Sequence, residues 1–179
     1  MVYEGEVHTI LEYTENAVIV NGFSKLYAMT GWRLGYLIAP KEFVRPMQRL
    51  QQNLFISPNS FVQLAAINAL REAESDVRRM RETYDQRRKF MIRRLRELGF
   101  GIMVEPTGAF YILANAKRFS EDSYRFAFDI LEKAKVGVAP GIDFGTNAEG
   151  LKRVGTLILE AADRIRSANE KLKEALEDL

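Results

Sequence analysis

Cysteine is absent from all 179 residues, and histidine occurs once, as His8. The first absence excludes disulfides and thiolate chemistry and sets the expectation of a reducing, cytoplasmic location. The second leaves too few imidazoles for a multi-histidine metal site or a histidine-based triad, so no metal is expected. His8 has no partner that the sequence points to and reads as a surface or edge residue. A surplus of one charge is also missing: 26 Lys and Arg face 24 Asp and Glu, a formal net charge of +2. That gives no electrostatic case for nucleic acid. No run approaches the roughly eighteen apolar residues of a membrane span, and MVYEGEVHTI at the start lacks the basic and apolar regions of a signal peptide.

What is present suits a globular fold. Apolar residues make up 47% and charged residues 28%, enough for a sizeable core in one domain, or in one domain plus part of another. Residues 17–20, AVIV, form a short β-branched run that predicts a strand buried on both faces, as in a parallel sheet. Residues 34–39 predict its neighbour, stopped by Pro40. A helix follows, whose regular part is expected near Arg45 because Pro46 suits only a first turn. After a loop at residues 57–60, helical spacing runs over about 61–98, with a break expected near Ser75 and Asp76 and a stop at Gly99. Strands are expected at 102–104, 109–113, 136–138 and 153–159, and helices at 120–135 and 160–179. Ser120 is the expected N-cap of the first of these, with Glu121 and Asp122 in its opening turn.

The stretch NGFSKLYAMTGWRLGYLIAP carries the most chemistry. Lys25 follows Ser24 just past the first expected strand, and Arg33 lies eight residues later between Gly31 and Gly35. The carboxyl edge of an open α/β sheet is where ligands collect. A partly desolvated lysine favours the neutral amine, which adds to aldehydes. The arginine fork suits a phosphate, with Ser24 and the Gly31 backbone as further donors. An aldehyde and a phosphate on one molecule describe pyridoxal phosphate. Spacing alone favours two solvated surface charges.

GFSK-x5-GWRLGY resembles the lysine motif of the fold-type I, pyridoxal-phosphate-dependent aminotransferases, the aspartate aminotransferase superfamily. EPTGAFYIL, VGVAPGIDFG and EGLKR resemble three further family segments, in the family's order, over nearly the whole chain. The resemblance implies an α/β fold: a remnant of the large-domain parallel sheet edge (1–74) joined by a long helix to the small C-terminal α+β domain (75–179). It implies that Lys25 holds pyridoxal 5'-phosphate as an aldimine and shuttles the substrate Cα proton. Ser24 and Arg33 would bind the cofactor phosphate, and Arg153 would clamp the substrate α-carboxylate. The reaction implied is transfer of an amino group from an amino acid to a 2-oxo acid. Phe110 either lines the site or belongs to the core.

The resemblance has gaps. The family's glycine-rich phosphate loop, its ring-stacking aromatic, and the aspartate that pairs with the pyridine nitrogen would all precede Met1. The expectation is therefore a C-terminal, truncated portion whose isolated chain is weakly active or inactive. One alternative is half of a split enzyme completed by a separate N-terminal half; another is a non-catalytic oligomerisation or binding module. Family members are typically homodimers, so a homo-oligomer is expected. After Arg153 the family's exit strand is altered, which leaves Arg164, in RIRSAN, as a rival for the carboxylate clamp. The basic run from Arg78 to Arg96 is interleaved with Glu82, Asp85 and Glu97, which predicts a solvated helix with local ion pairs rather than a nucleic-acid surface.

Overall fold

A computed structural model describes residues 1–145 and the strand at 151–155. The chain divides into two compact units, Gly5–Glu82 and a second made of Met1–Glu4 with Thr83–Leu179. Among the described residues no helix is long and apolar enough to cross a membrane.

In the first unit, β1 (Ile19–Gly22) pairs with β2 (Gly35–Ile38), Ile19 facing Ile38 and Gly22 facing Gly35. The two strands are neighbours as expected, but antiparallel. The physical reason is the connection: a turn and a 3-10 helix at Thr30–Trp32 reverse the chain, whereas a parallel pair needs a longer crossover. Nor is β1 buried on both faces, since Val20 is 77% exposed and its cross-strand partner Leu37 is 53% exposed. Helix α1 (Lys41–Leu54) begins directly after Pro40 and contains Pro46 in its second turn. Pro46 has no N–H to give the Glu42 carbonyl, and the exposure of Glu42 lets water take that place. Helix α2 (Ser60–Glu72) is capped by Asn59, whose side chain accepts from the Phe61 N–H at 3.3 Å. The core is small: Phe23, Met29 and Ala66, flanked by Tyr27, Leu34, Ala65 and Ala69.

Helix α3 (Glu74–Glu97) follows a break at Ala73, a little before the expected position. It ends at Gly99, at φ +90°, where the Phe100 N–H reaches the Leu95 carbonyl at 2.9 Å and the Gly99 N–H the Arg96 carbonyl at 3.0 Å. This is a Schellman closure, and it turns Phe100 back onto Leu95 in the core. Strand β3 (Tyr111–Asn115) pairs antiparallel with β4 (Leu151–Gly155), Leu113 opposite Arg153. Residues 102–104 form no strand: Met103 and Val104 are exposed, and only Gly101 bridges to Asn115. Residues 136–138 likewise form no strand. Helix α4 (Ser123–Ala134) is capped by Asp122, whose carboxylate accepts from the Arg125 N–H at 2.9 Å. Ser120 instead binds the Asp122 N–H at 3.2 Å, one step outside the helix, because the shorter reach to Arg125 belongs to Asp122. The core of this unit packs Met91, Ile92 and Leu95 of α3 against Ile112, Phe126 and Ile130. The expected helix at 160–179, the end of the strand expected at 153–159, and Arg164 lie outside the described residues.

Candidate active site

The end of the β1–β2 ribbon is built for close approach. A Cβ on Gly35 would lie 3.1 Å from the Asn21 carbonyl, and one on Gly22 would lie 3.3 Å from the Leu34 carbonyl. One hydrogen bond continues the ladder past them, from the Phe23 N–H to the Leu34 carbonyl at 3.2 Å. Phe23 is buried, 5.4 Å from the Tyr27 ring and 5.5 Å from Tyr36, and its carbonyl accepts from the Met29 N–H at 3.3 Å. The loop between is therefore pinned at both ends by one aromatic residue.

Ser24 and Lys25 leave the ribbon directly after Phe23, and Arg33 enters it directly before Leu34. The antiparallel pairing thus brings the three expected cofactor residues to one end of one ribbon. Ser24 is half-buried, whereas Lys25 is exposed, so the expected desolvation of its amine is absent. Lys25 begins a turn closed by the Ala28 N–H on its carbonyl at 3.3 Å, which half-buries Leu26 and Tyr27 and leaves Lys25 outward. Arg33 sits in the left-handed region at φ 54°, and its Nη1 donates to the Thr30 carbonyl at 3.0 Å. A guanidinium carries five N–H donors, so most remain for an anion. Gly31, inside the 3-10 helix, has open space where its side chain would be.

Arg153 lies in β4, in the other unit, at the register position opposite Leu113. Phe110 stands just ahead of β3, with its ring 6.1 Å from Tyr84 and 4.4 Å from Tyr111. Among the described residues no cluster of His, Cys, Asp and Glu could hold a metal ion.

A profile of the family Aminotransferase class I and II matches residues 1–166. The chain belongs to this family. It is 36% identical over 180 residues to the (5-formylfuran-3-yl)methyl phosphate transaminase of Methanocaldococcus jannaschii, covering 98% of this chain and 47% of that protein. It is 42% identical over 164 residues to an aspartate aminotransferase of Pyrococcus horikoshii, covering 87% of this chain and 42% of that one. The crystal structure of an aromatic aminotransferase from Pyrococcus horikoshii superposes with a TM-score of 0.90 at 36% identity, over 99% of this chain and 48% of that one. The chain thus spans less than half the length of these relatives. The solved relatives bear out the α/β aminotransferase fold. Pyridoxal 5'-phosphate is the cofactor of this family of enzymes. The ribbon end carries groups of the kinds it needs: a primary amine for the aldehyde, and a fork with spare donors and a hydroxyl for the phosphate.

Two features escaped the sequence. His8 does have a partner, because Glu12 sits at i+4 with its Oε2 2.9 Å from Nδ1. That hydrogen bond, with one from the Thr9 backbone, holds the Glu12 carboxyl below its ordinary value. The larger omission is Arg88, only 6% exposed. Its Nε donates to Asp85 at 2.8 Å, its Nη1 to the Pro106 carbonyl at 2.6 Å, and its Nη2 to Glu4. Its guanidinium also lies 5.3 Å from the Tyr3 ring centre. Burial works against the Arg88 charge, but the bonds to Glu4 and Asp85 outweigh it and hold the group above its ordinary value. The signal was readable: Arg88 fills the gap in the apolar stripe Tyr84, Met91 and Leu95. Its basic neighbours pair locally instead, Arg78 with Glu74 at 3.0 Å, Arg79 with Asp76 at 2.7 Å and Arg96 with Glu105 at 2.6 Å.

Proposed function

We propose that this chain supplies the lysine side of an aminotransferase site, which transfers an amino group from an amino acid to a 2-oxo acid. The observation that carries this reading is the meeting of Ser24, Lys25 and Arg33 around the Phe23–Leu34 hydrogen bond, 3.2 Å long, at one ribbon end. Pyridoxal 5'-phosphate, when bound, supplies the electron sink that amino-group transfer needs. The Lys25 amine is the nucleophile toward its aldehyde and the base that moves the proton at the substrate Cα. Arg33 and Ser24 bind and orient the phosphate, and Arg153 holds the substrate α-carboxylate. Exposure of Lys25 supports a site whose water-excluding wall comes from elsewhere, in a second copy of the chain or in the portion of the relatives' length that this chain does not match. The 179-residue chain alone is accordingly expected to turn over slowly or not at all.

The test is an absorbance titration with pyridoxal 5'-phosphate. The parent chain develops a visible band on binding, and Lys25→Ala does not. A band that survives this substitution removes Lys25 from its role. Arg33→Ala is expected to keep the chemistry but weaken binding by about tenfold or more, the loss of a charge-assisted pair.

A further inference from the structure

Residues 1–4 do not belong with the chain that immediately follows them. They add to the unit containing residues 83–155 as an edge segment, with Val2 bridged to Gly108. The Tyr3 N–H donates to the Thr107 carbonyl at 2.8 Å, and the Ala109 N–H to the Met1 carbonyl at 2.7 Å. The Tyr3 hydroxyl closes the pattern on the Ala109 carbonyl. The loop they hold is under strain, because Ala109 sits at φ 58°, a left-handed conformation that alanine disfavours. Gly108 has no room for a side chain, since a Cβ there would lie 2.9 Å from the Met1 carbonyl.

Arg88 ties both partners together. One nitrogen holds the Pro106 carbonyl at the start of the loop, another holds Glu4 at the end of the segment, and Asp85 fixes the guanidinium from its own helix. Two residues past Ala109 the chain becomes β3, whose ladder partner β4 carries Arg153. The loop therefore leads directly into the strand that pairs with β4.

We infer that Arg88 is a positioning residue for the carboxylate end of the site: through the 106–110 loop and the Met1–Glu4 segment it sets β3 against the strand that bears Arg153. The inference rests on the reading of Arg153 as the carboxylate clamp. It adds a residue that touches neither cofactor nor substrate.

The test uses the full chain with Glu4→Gln, which removes the charge from one arm of the network, and Arg88→Lys, which keeps the charge but loses the fork. Amide hydrogen exchange is followed at Tyr3 and Ala109, through β3, and in α4 as internal reference. Exchange is expected to rise about tenfold at the loop and in β3, with α4 unchanged. Affinity for 2-oxoglutarate, measured by calorimetry, is expected to fall severalfold in Arg88→Lys, less in Glu4→Gln, and to be lost in Arg153→Ala. Unchanged exchange in β3, or an equal rise throughout α4, overturns the inference while leaving Arg153 in place. No binding by the parent, or binding that survives Arg153→Ala, removes the clamp and with it the role given to Arg88. The exchange data need no ligand, so the two failures are distinct. Should Arg88→Lys not fold, Glu4→Gln carries both measurements.

Discussion

Asp85 shows how a single carboxylate links the α3 surface to the buried guanidinium. It accepts from the Lys89 Nζ at 2.7 Å and from the Arg88 Nε at 2.8 Å. The hydrogen bond from Lys89, and then that from Arg88, hold its carboxyl below the ordinary value against the opposing effect of burial. An unfolded chain protonates this group near pH 4, at about 3.9, whereas the folded chain keeps it ionised to lower pH. The stabilisation is therefore complete above the unfolded value and is lost as pH falls through the folded one. Asp85→Asn is expected to lower Tm at neutral pH, and the two Tm curves should converge as the pH drops below about 4. Curves that stay parallel down to the acid limit would show that Asp85 carries no linked proton. Tyr3, beside the same network, is moved the other way: burial and the nearby Tyr84 push its hydroxyl up, partly opposed by Arg88.

The helices and strands differ in how much of them the amino-acid pattern specifies. The end of α3 was legible, because Gly99 follows a periodic apolar stripe and a left-handed C′ position favours glycine. A Cβ at Gly99 would meet Arg118 Nη1 at 3.1 Å and Phe119 Cζ at 3.4 Å, at a φ that alanine resists. Gly99→Ala is expected to cost about 1–2 kcal/mol in denaturant unfolding, without changing the m-value. A loss below a few tenths would mean that the closure between Phe100 and Leu95 is not under backbone control. The ribbon was half legible. Its apolar runs located both strands, but strand direction is decided by the connection, and residues 23–34 carry no periodic signal. The site shares that division. Ser24, Lys25 and Arg33 were visible as residue types; their meeting depends on the antiparallel register that the apolar runs leave open. Arg88 was easy to pass over for another reason. A buried arginine and a solvated one have the same one-dimensional spacing, and only its place on the apolar stripe separates it from its neighbours.

At the scale of the whole molecule, the unit Gly5–Glu82 exposes many large apolar side chains, and contiguous exposed apolar patches mark sites of association. Val20, Leu37, Leu54, Phe55, Ile56, Phe61, Leu64 and Leu70 are all more than half exposed in it. Helix α1 has no buried residue, although Phe43, Val44, Leu50 and Leu54 recur on it at helical spacing. The β1–β2 ribbon is two-stranded, and such ribbons are marginal in water without a further strand or a covering helix. Burial at about 25 cal/mol per Å2 of apolar surface makes covering this face favourable, while a formal charge of +2 offers little repulsion against it. The chain is therefore expected to self-associate, with an apparent mass in sedimentation velocity that rises with concentration. Because the driving force is apolar, added sulfate should strengthen the association and moderate urea should weaken it before the Thr83–Leu179 core unfolds. Val20→Thr with Leu37→Lys places polar groups on one cross-strand pair, and this double variant should shift the mass toward the monomer while keeping the helical circular dichroism. A parent chain that stays monomeric across the full concentration range would show that this face is covered within one molecule. The double variant would then lose stability rather than change mass, and the two outcomes are told apart by the same sedimentation series run alongside thermal unfolding.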